Sequence, residues 1–382
     1  MMDEAGLKRA RLDASRARIA RIREALAARE IDALYLRDLP NIAWVTAFDG
    51  VFDDESAHAL LITQEGAWLH SDSRYISALE AAAEGSAIAL STCSSGHAKW
   101  AFGLLEASAR MAIEDTLTLR EFHALESALA ETGSTVELVQ TTGLVEGLRS
   151  VKDELEIALM REAQRITDAG FSFIVEFIEP GMTEAQVQRA LDTFMLEQGA
   201  EGLAFPTIVA TGDHAASPHA IPGDRVIEVG DAVVMDFGAR YGGYCSDMTR
   251  TIFIGEPHEK LRSAWETMRE ANERCEAAVR AGKTGAEIHA LAEDILARGG
   301  FAKKMGHGLG HSLGLYIHED PALSPRNTDP LPAGAVLTVE PGIYLPGEFG
   351  MRLEDFGVVT ETGFEVITQS THEMVIIDPQ SR

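Results

Sequence analysis

Two periodicities divide this chain. Up to about residue 150, short apolar runs of the kind that form strands occur at 31–37, 58–63, 67–71, 87–92, 111–115 and 135–140. Helical spacing separates some of them, at 74–83 and 119–130. The first 30 residues are charged throughout and spaced as an amphipathic helix with a basic face. This pattern predicts an α/β module with its own core over 1–150. At residues 152–178 a long helical stretch begins, and the boundary with a second domain, 151–382, is placed there.

The second domain repeats itself. Gly181-Met182-Thr183-Glu184-Ala185 returns as Gly282-Lys283-Thr284-Gly285-Ala286, and at the same offset Val187 matches Ile288, Phe194 matches Ile295 and Gly199 matches Gly300. Each threonine has Gln186 or Glu287 three residues on, a capping-box signature that opens an amphipathic helix. Each helix closes at a glycine. A β-rich segment with two acids follows in both copies. Asp236 and Asp247 lie symmetrically about the turn 239–243, and Glu340 and Glu354 about Gly347. If strands flank these turns, each pair sits opposite on one face, the same way in both copies.

Composition narrows the chemistry. The 382 residues are 46% hydrophobic and 24% charged, which suits ordinary globular cores. Sixty acids against 33 Lys and Arg leave a net charge of −27, the wrong sign for a nucleic-acid partner. No apolar run approaches the ~18 residues that span a bilayer, so no membrane partner is expected. Cys93, Cys245 and Cys275 have no zinc or disulfide spacing; with no signal-peptide pattern, the expected location is cytoplasmic. The acidic insert around Asp53, Asp54 and Glu55 reads as a solvated loop.

Four carboxylates gathered in one cleft would raise one another's pKa values unless cations neutralised them, and two divalent ions balance four negative charges. Histidines supply the rest: His307, His311 and His318 lie in HGLGHSLGLYIHEDP, and His219 in ASPHAIPGD. The i, i+4 pair His307 and His311 has the spacing of a helical zinc site. Glycines at 306, 308 and 310 favour instead an extended segment that approaches a metal closely. The remaining histidines are free to handle protons or bind substrate.

The set Asp236, Asp247, His311, Glu340 and Glu354 resembles the ligand set of the M24 metallopeptidases, which have the pita-bread fold. DFGARYGGYCSDMTRT, GHGLGHSLGLYIHEDP, TVEPGIY and MRLED match that family's segments in order. NIAWVTAF and HSDSRY resemble the N-terminal domain of its aminopeptidase P, prolidase and creatinase branch. The resemblance implies an α/β creatinase-type domain followed by an α+β pita-bread domain with internal pseudo-two-fold duplication. It also implies hydrolysis of Xaa-Pro bonds in small proline-containing peptides, through a hydroxide bridging two divalent metals. Mn²⁺ is favoured, and Co²⁺ or Zn²⁺ would fit.

By the same resemblance Asp236 chelates one metal, Asp247 and Glu354 bridge both, and His311 and Glu340 complete the site. Glu340 would also be catalytic; His219 and His318 would bind substrate and stabilise the tetrahedral intermediate, and His307 and Arg352 would support substrate binding. A homodimer is implied as well. Trp44 and Ala47 depart from the family's usual Tyr and Gly, and Ser312 from a common Gly. A methionine aminopeptidase shares the five ligands and the fold, whereas its creatinase-like and non-catalytic relatives lose ligands that this chain keeps.

Overall fold

In the computed structural model the described residues are 3–53, 55–92 and 94–380; Asp54 and Cys93 lie outside them. The chain divides into two compact units, 1–149 and 150–382. Among the described residues no helix is long and apolar enough to cross a membrane.

The first unit runs α1 (Glu4–Ala27), β1 (Ala33–Leu36), α2 (Leu39–Thr46), β2 (Ala59–Thr63), β3 (Ala67–His70), α3 (Ile76–Ala83), β4 (Ala89–Ser91), α4 (His97–Phe102), β5 (Arg110–Glu114), α5 (Leu119–Thr132), β6 (Glu137–Thr141) and α6 (Leu144–Arg149). Its sheet has the order β4-β3-β2-β1-β5-β6, with the fully buried ALYL of β1 inside it. α5 opens on a capping box made by Thr118 and Glu121. Not all of α1's basic residues face outward. Arg18 is buried, donates to the carbonyl of Trp44 at 2.6 Å and lies over its ring at 5.1 Å. Asn41 is the hub of NIAWVTAF: its amide donates to Glu114 (2.8 Å) and Glu146 (2.6 Å), and its carbonyl accepts from Arg149 (2.7 Å). Ala47 ends α2 at φ 52°, a left-handed conformation that glycine adopts without strain. The departure from glycine therefore falls where the backbone favours it. In the insert Asp53 and Glu55 are exposed and make surface contacts: Asp53 accepts from the Tyr75 hydroxyl at 2.8 Å, and Glu55 pairs with Arg74 at 2.7 Å.

The second unit is built twice. The first copy comprises α7 (Glu154–Phe177), α8 (Glu184–Glu197), β7 (Gly202–Leu203), β8 (Ile208–Thr211), β9 (Ala232–Phe237), β10 (Ala239–Tyr241), β11 (Tyr244–Cys245) and β12 (Met248–Ile254). The second comprises α9 (Glu259–Ala278), α10 (Gly285–Arg298), β13 (Gly310–Ser312), β14 (Glu319–Leu323), β15 (Val336–Val339), β16 (Gly342–Leu345), β17 (Phe349–Arg352), β18 (Asp355–Val359) and β19 (Phe364–Val366), with β20 (Val375–Ile377) returning to the first sheet.

The duplication extends to single bonds. α8 and α10 both open on capping boxes, from Thr183 with Gln186 and from Thr284 with Glu287. Gly181 and Gly282 have φ 95° and 82°, and their N–H groups donate to Ile227 at 2.9 Å and Leu331 at 3.0 Å. The bridges Thr183 with Val226 and Thr284 with Pro330 are equivalent. Helix pairs cover two sheets, β20-β12-β9-β8 and β14-β13-β15-β18-β19, over separate apolar cores. Phe194 and Ile295 do not match in environment: Ile295 is buried and Phe194 only half-buried, stacked on Phe173.

Candidate metal centre

The four carboxylate candidates sit at or beside the ends of equivalent strands, and the imidazole candidate lies within a strand of the second copy. Asp236 is the penultimate residue of β9, and Asp247 directly precedes β12. Glu340 directly follows β15, Glu354 directly precedes β18, and His311 is the middle residue of β13. The second pair is opposed as its spacing predicts. β15 and β18 pair Val339 with Asp355, so Glu340 faces Glu354, and the β16–β17 hairpin continues the same register around Gly347.

The first pair corrects the expectation. β9 and β12 pair Asp236 with Thr249, so Asp247 is diagonal to Asp236 on the same face, not opposite it. The reason is the β10–β11 hairpin, whose turn lies at Gly242-Gly243 rather than centrally in 239–243.

A cavity of about 930 Å³ is lined by all nine sequence candidates: His219, Asp236, Asp247, His307, His311, His318, Glu340, Arg352 and Glu354. Ligand atoms of Asp247, His311 and Glu354 lie within 4.8 Å of one another. His311 Nε2 is 3.6 Å from Asp247 Oδ2 and 3.4 Å from Glu340 Oε1, close to the separation of two donors sharing an ion with bonds of about 2.1 Å. The His311 tautomer is set by its neighbour. Nδ1 lies 3.1 Å from the Ser312 carbonyl, which can only accept, so Nδ1 carries the hydrogen and Nε2 offers its lone pair.

The electrostatics ask for cations. Burial, followed by the neighbouring carboxylates, pushes Asp247 and Glu354 well above the usual carboxylate range. Burial likewise raises Glu340 to about 8 and raises Asp236 against the opposing pull of Arg352. Asp236 is salt-bridged to Arg352 through Oδ2, while its buried Oδ1 has no hydrogen-bond partner. A buried carboxylate oxygen without a donor, among three further carboxylates and an imidazole lone pair, fits divalent cations.

Three supporting residues were not singled out by sequence. Thr249 donates to Glu354 at 2.6 Å and accepts from Arg352 at 2.8 Å. The Tyr344 hydroxyl accepts from Arg352 at 2.8 Å and lies 3.2 Å from His307 Nε2. Thr338 links the His311 N–H, at 3.0 Å, to Glu340, at 3.3 Å. All three lie within matched segments, but strand register is what reveals their roles.

The glycine-rich segment is not helical; it bends through 305–309, with Gly306 at φ 78°, and becomes extended only at β13, where its close approach is to another strand. A Cβ at Gly310 would lie 2.1 Å from the Thr338 carbonyl. Gly310→Ala is therefore expected to cost about 1–3 kcal/mol by overpacking and to weaken metal binding by displacing His311. Thermal unfolding and metal titration of the variant check this; wild-type values for both would contradict it.

The sequence profile of Metallopeptidase family M24 matches residues 158–361, which contain all nine candidates. The chain belongs to this family. The Creatinase/Prolidase N-terminal domain profile matches residues 18–151 of this M24 chain. An uncharacterized peptidase of Bacillus subtilis, YqhT, is 36% identical over 354 residues, covering 91% of this chain and 96% of its own. The structure of an Xaa-Pro dipeptidase from Bacillus anthracis is similar at TM-score 0.87 and 38% identity, over 95% of this chain and all of that one. An X-Pro aminopeptidase from Thermotoga maritima is similar at TM-score 0.82 and 34% identity, over 91% and 98%. The architecture is thus a creatinase-type N-terminal domain followed by an M24 domain of the pita-bread fold.

Proposed function

We propose that this chain is a metal-dependent exopeptidase that hydrolyses Xaa-Pro bonds in small peptides. The observation that carries the reading is the convergence of four carboxylates and one oriented imidazole in a single cavity. The names of the similar dipeptidase and aminopeptidase support the proline specificity.

Asp236, Asp247, His311, Glu340 and Glu354 are the residues that would hold two divalent ions. A donor set of mostly oxygen with one imidazole suits Mn²⁺, with Co²⁺ and Zn²⁺ as fitting substitutes. When bound, the ions supply Lewis acidity to the scissile carbonyl and lower the pKa of water toward neutrality.

The chain's own groups do the rest. His219 and His318 face the same cavity, where imidazole N–H groups can donate to the oxygen that gains charge as the carbonyl is attacked. A Glu340 carboxylate oxygen can take the proton released from water and pass it to the prolyl nitrogen as that nitrogen leaves. Phe205, Ile208, Ile221 and Ile317 provide an apolar wall for the ring. A prolyl nitrogen has no N–H to recognise, so shape and apolar contact carry the selection.

The test is a peptide panel on metal-stripped protein resupplied with Mn²⁺, Co²⁺ or Zn²⁺. Xaa-Pro substrates are expected to turn over, and Met-Ala at least about tenfold more slowly. Turnover of dipeptides alone identifies a dipeptidase, and turnover of Xaa-Pro-Yaa an aminopeptidase. No metal-dependent turnover of any peptide would sink the enzymatic reading. Preference for Met-Ala would favour the methionine aminopeptidase alternative.

A further inference from the structure

We propose that Lys152 is a positioning residue for the reaction, its buried ammonium fixing the loop that carries His318. The inference rests on the role given to His318 above. The Lys152 side chain is 1% exposed, and its Nζ donates to Ser312 Oγ at 2.9 Å and pairs with Glu319 Oε2 at 3.1 Å. Ser312 and Glu319 are antiparallel partners, the two feet of the loop between them. One foot directly follows His311, and the other directly follows His318. A single cation therefore holds the exits of both histidines.

The carboxylate works inside the loop as well. Glu319 Oε1 accepts the Tyr316 N–H at 3.1 Å. It fits because position 314 is glycine: a Cβ there would lie 2.8 Å from that oxygen. The loop is also pinned from outside by the Cys245 N–H, which donates to the Gly314 carbonyl at 2.8 Å. At its end, the His318 ring packs edge-on against His311, with centroids 4.5 Å apart.

Lys152 is itself well anchored. Its N–H donates to Gly334 at 2.9 Å, and the next residue, Asp153, caps α7 through a capping box. Ser312, one of the positions where the chain departs from a common glycine, gives the ammonium a second fixed partner. A buried ion pair is often no more stabilising than an apolar pair of the same volume. Stability alone therefore does not account for this one, whereas orientation of the loop does. Misplacing a reacting group by about 1 Å can cost about 10²-fold in rate.

The test compares Lys152→Met, Glu319→Gln and the double variant with wild type, using Xaa-Pro kinetics, thermal unfolding and crystal structures. Each single variant removes one charge of the buried pair and leaves the other in place, so both stability and kcat fall, kcat by about 30–100-fold. The double variant removes both charges. Its unfolding temperature is expected to return toward wild type while kcat stays at least about tenfold low, with residues 313–318 displaced from their wild-type position. Recovery of kcat together with stability, or an unmoved loop in the double variant, would reduce Lys152 to a structural role and overturn the proposal. Failure of wild-type protein to cleave any Xaa-Pro peptide would count against the function instead. In that case the displaced loop remains the readout for Lys152.

Discussion

Asp247→Asn is expected to lower Xaa-Pro turnover by about 10³-fold or more and to leave fewer than two metal ions per chain. Asp247 is 4% exposed, and its ligand atoms lie within 4.8 Å of those of Glu354 and His311. Asparagine keeps the shape but offers one neutral oxygen where the carboxylate offers two charged ones, so it cannot bridge two cations. The metal-free protein should respond in the opposite direction. Asp247 is pushed up by burial and by Glu354, Asp236 and Glu340, so removing its charge relieves repulsion and stabilises the metal-free fold. Metal analysis, kinetics and unfolding of the metal-free variant check all three effects. Full metal occupancy in a folded variant would show that the bridging assignment is wrong.

The second large effect is expected at the cavity histidines. His318→Ala and His219→Ala should each reduce kcat by about 10²–10³-fold, the usual cost of losing one donor to a developing oxyanion. His318 and His219 are both exposed side chains lining the cavity, and neither is in the ligand set. Metal stoichiometry and unfolding temperature should therefore stay near wild type. Kinetics beside those two controls separate a role in the reaction from a role in folding. A loss of less than tenfold at both positions would leave the carbonyl oxygen without its proposed donors.

What could be read from the sequence was local or regular. The capping boxes of α8 and α10 are encoded within four residues each, and the duplication follows from them. Glu340 and Glu354 were legible as an opposed pair because a single register, centred on Gly347, runs through the segment. Asp236 and Asp247 were legible as partners but not in their geometry, because the small β10–β11 hairpin moves the true centre to Gly242-Gly243. The burial of Arg18 was not legible either, because a basic helix face does not show which of its cations turns inward to lie over Trp44. Contacts across long separations were not legible at all. Lys152 meets Ser312 across 160 residues, and Thr249 meets Glu354 across 105; no local pattern announces either contact.

The central claim is that these five ligands make the chain a two-metal Xaa-Pro peptidase. Its most direct test is to titrate metal-stripped protein with Mn²⁺ while following bound metal and Xaa-Pro hydrolysis in the same samples. The account predicts no turnover without metal and activity that saturates as occupancy reaches two ions per chain. Undiminished hydrolysis in the stripped protein, or two bound ions with no hydrolysis of any Xaa-Pro peptide, would contradict it.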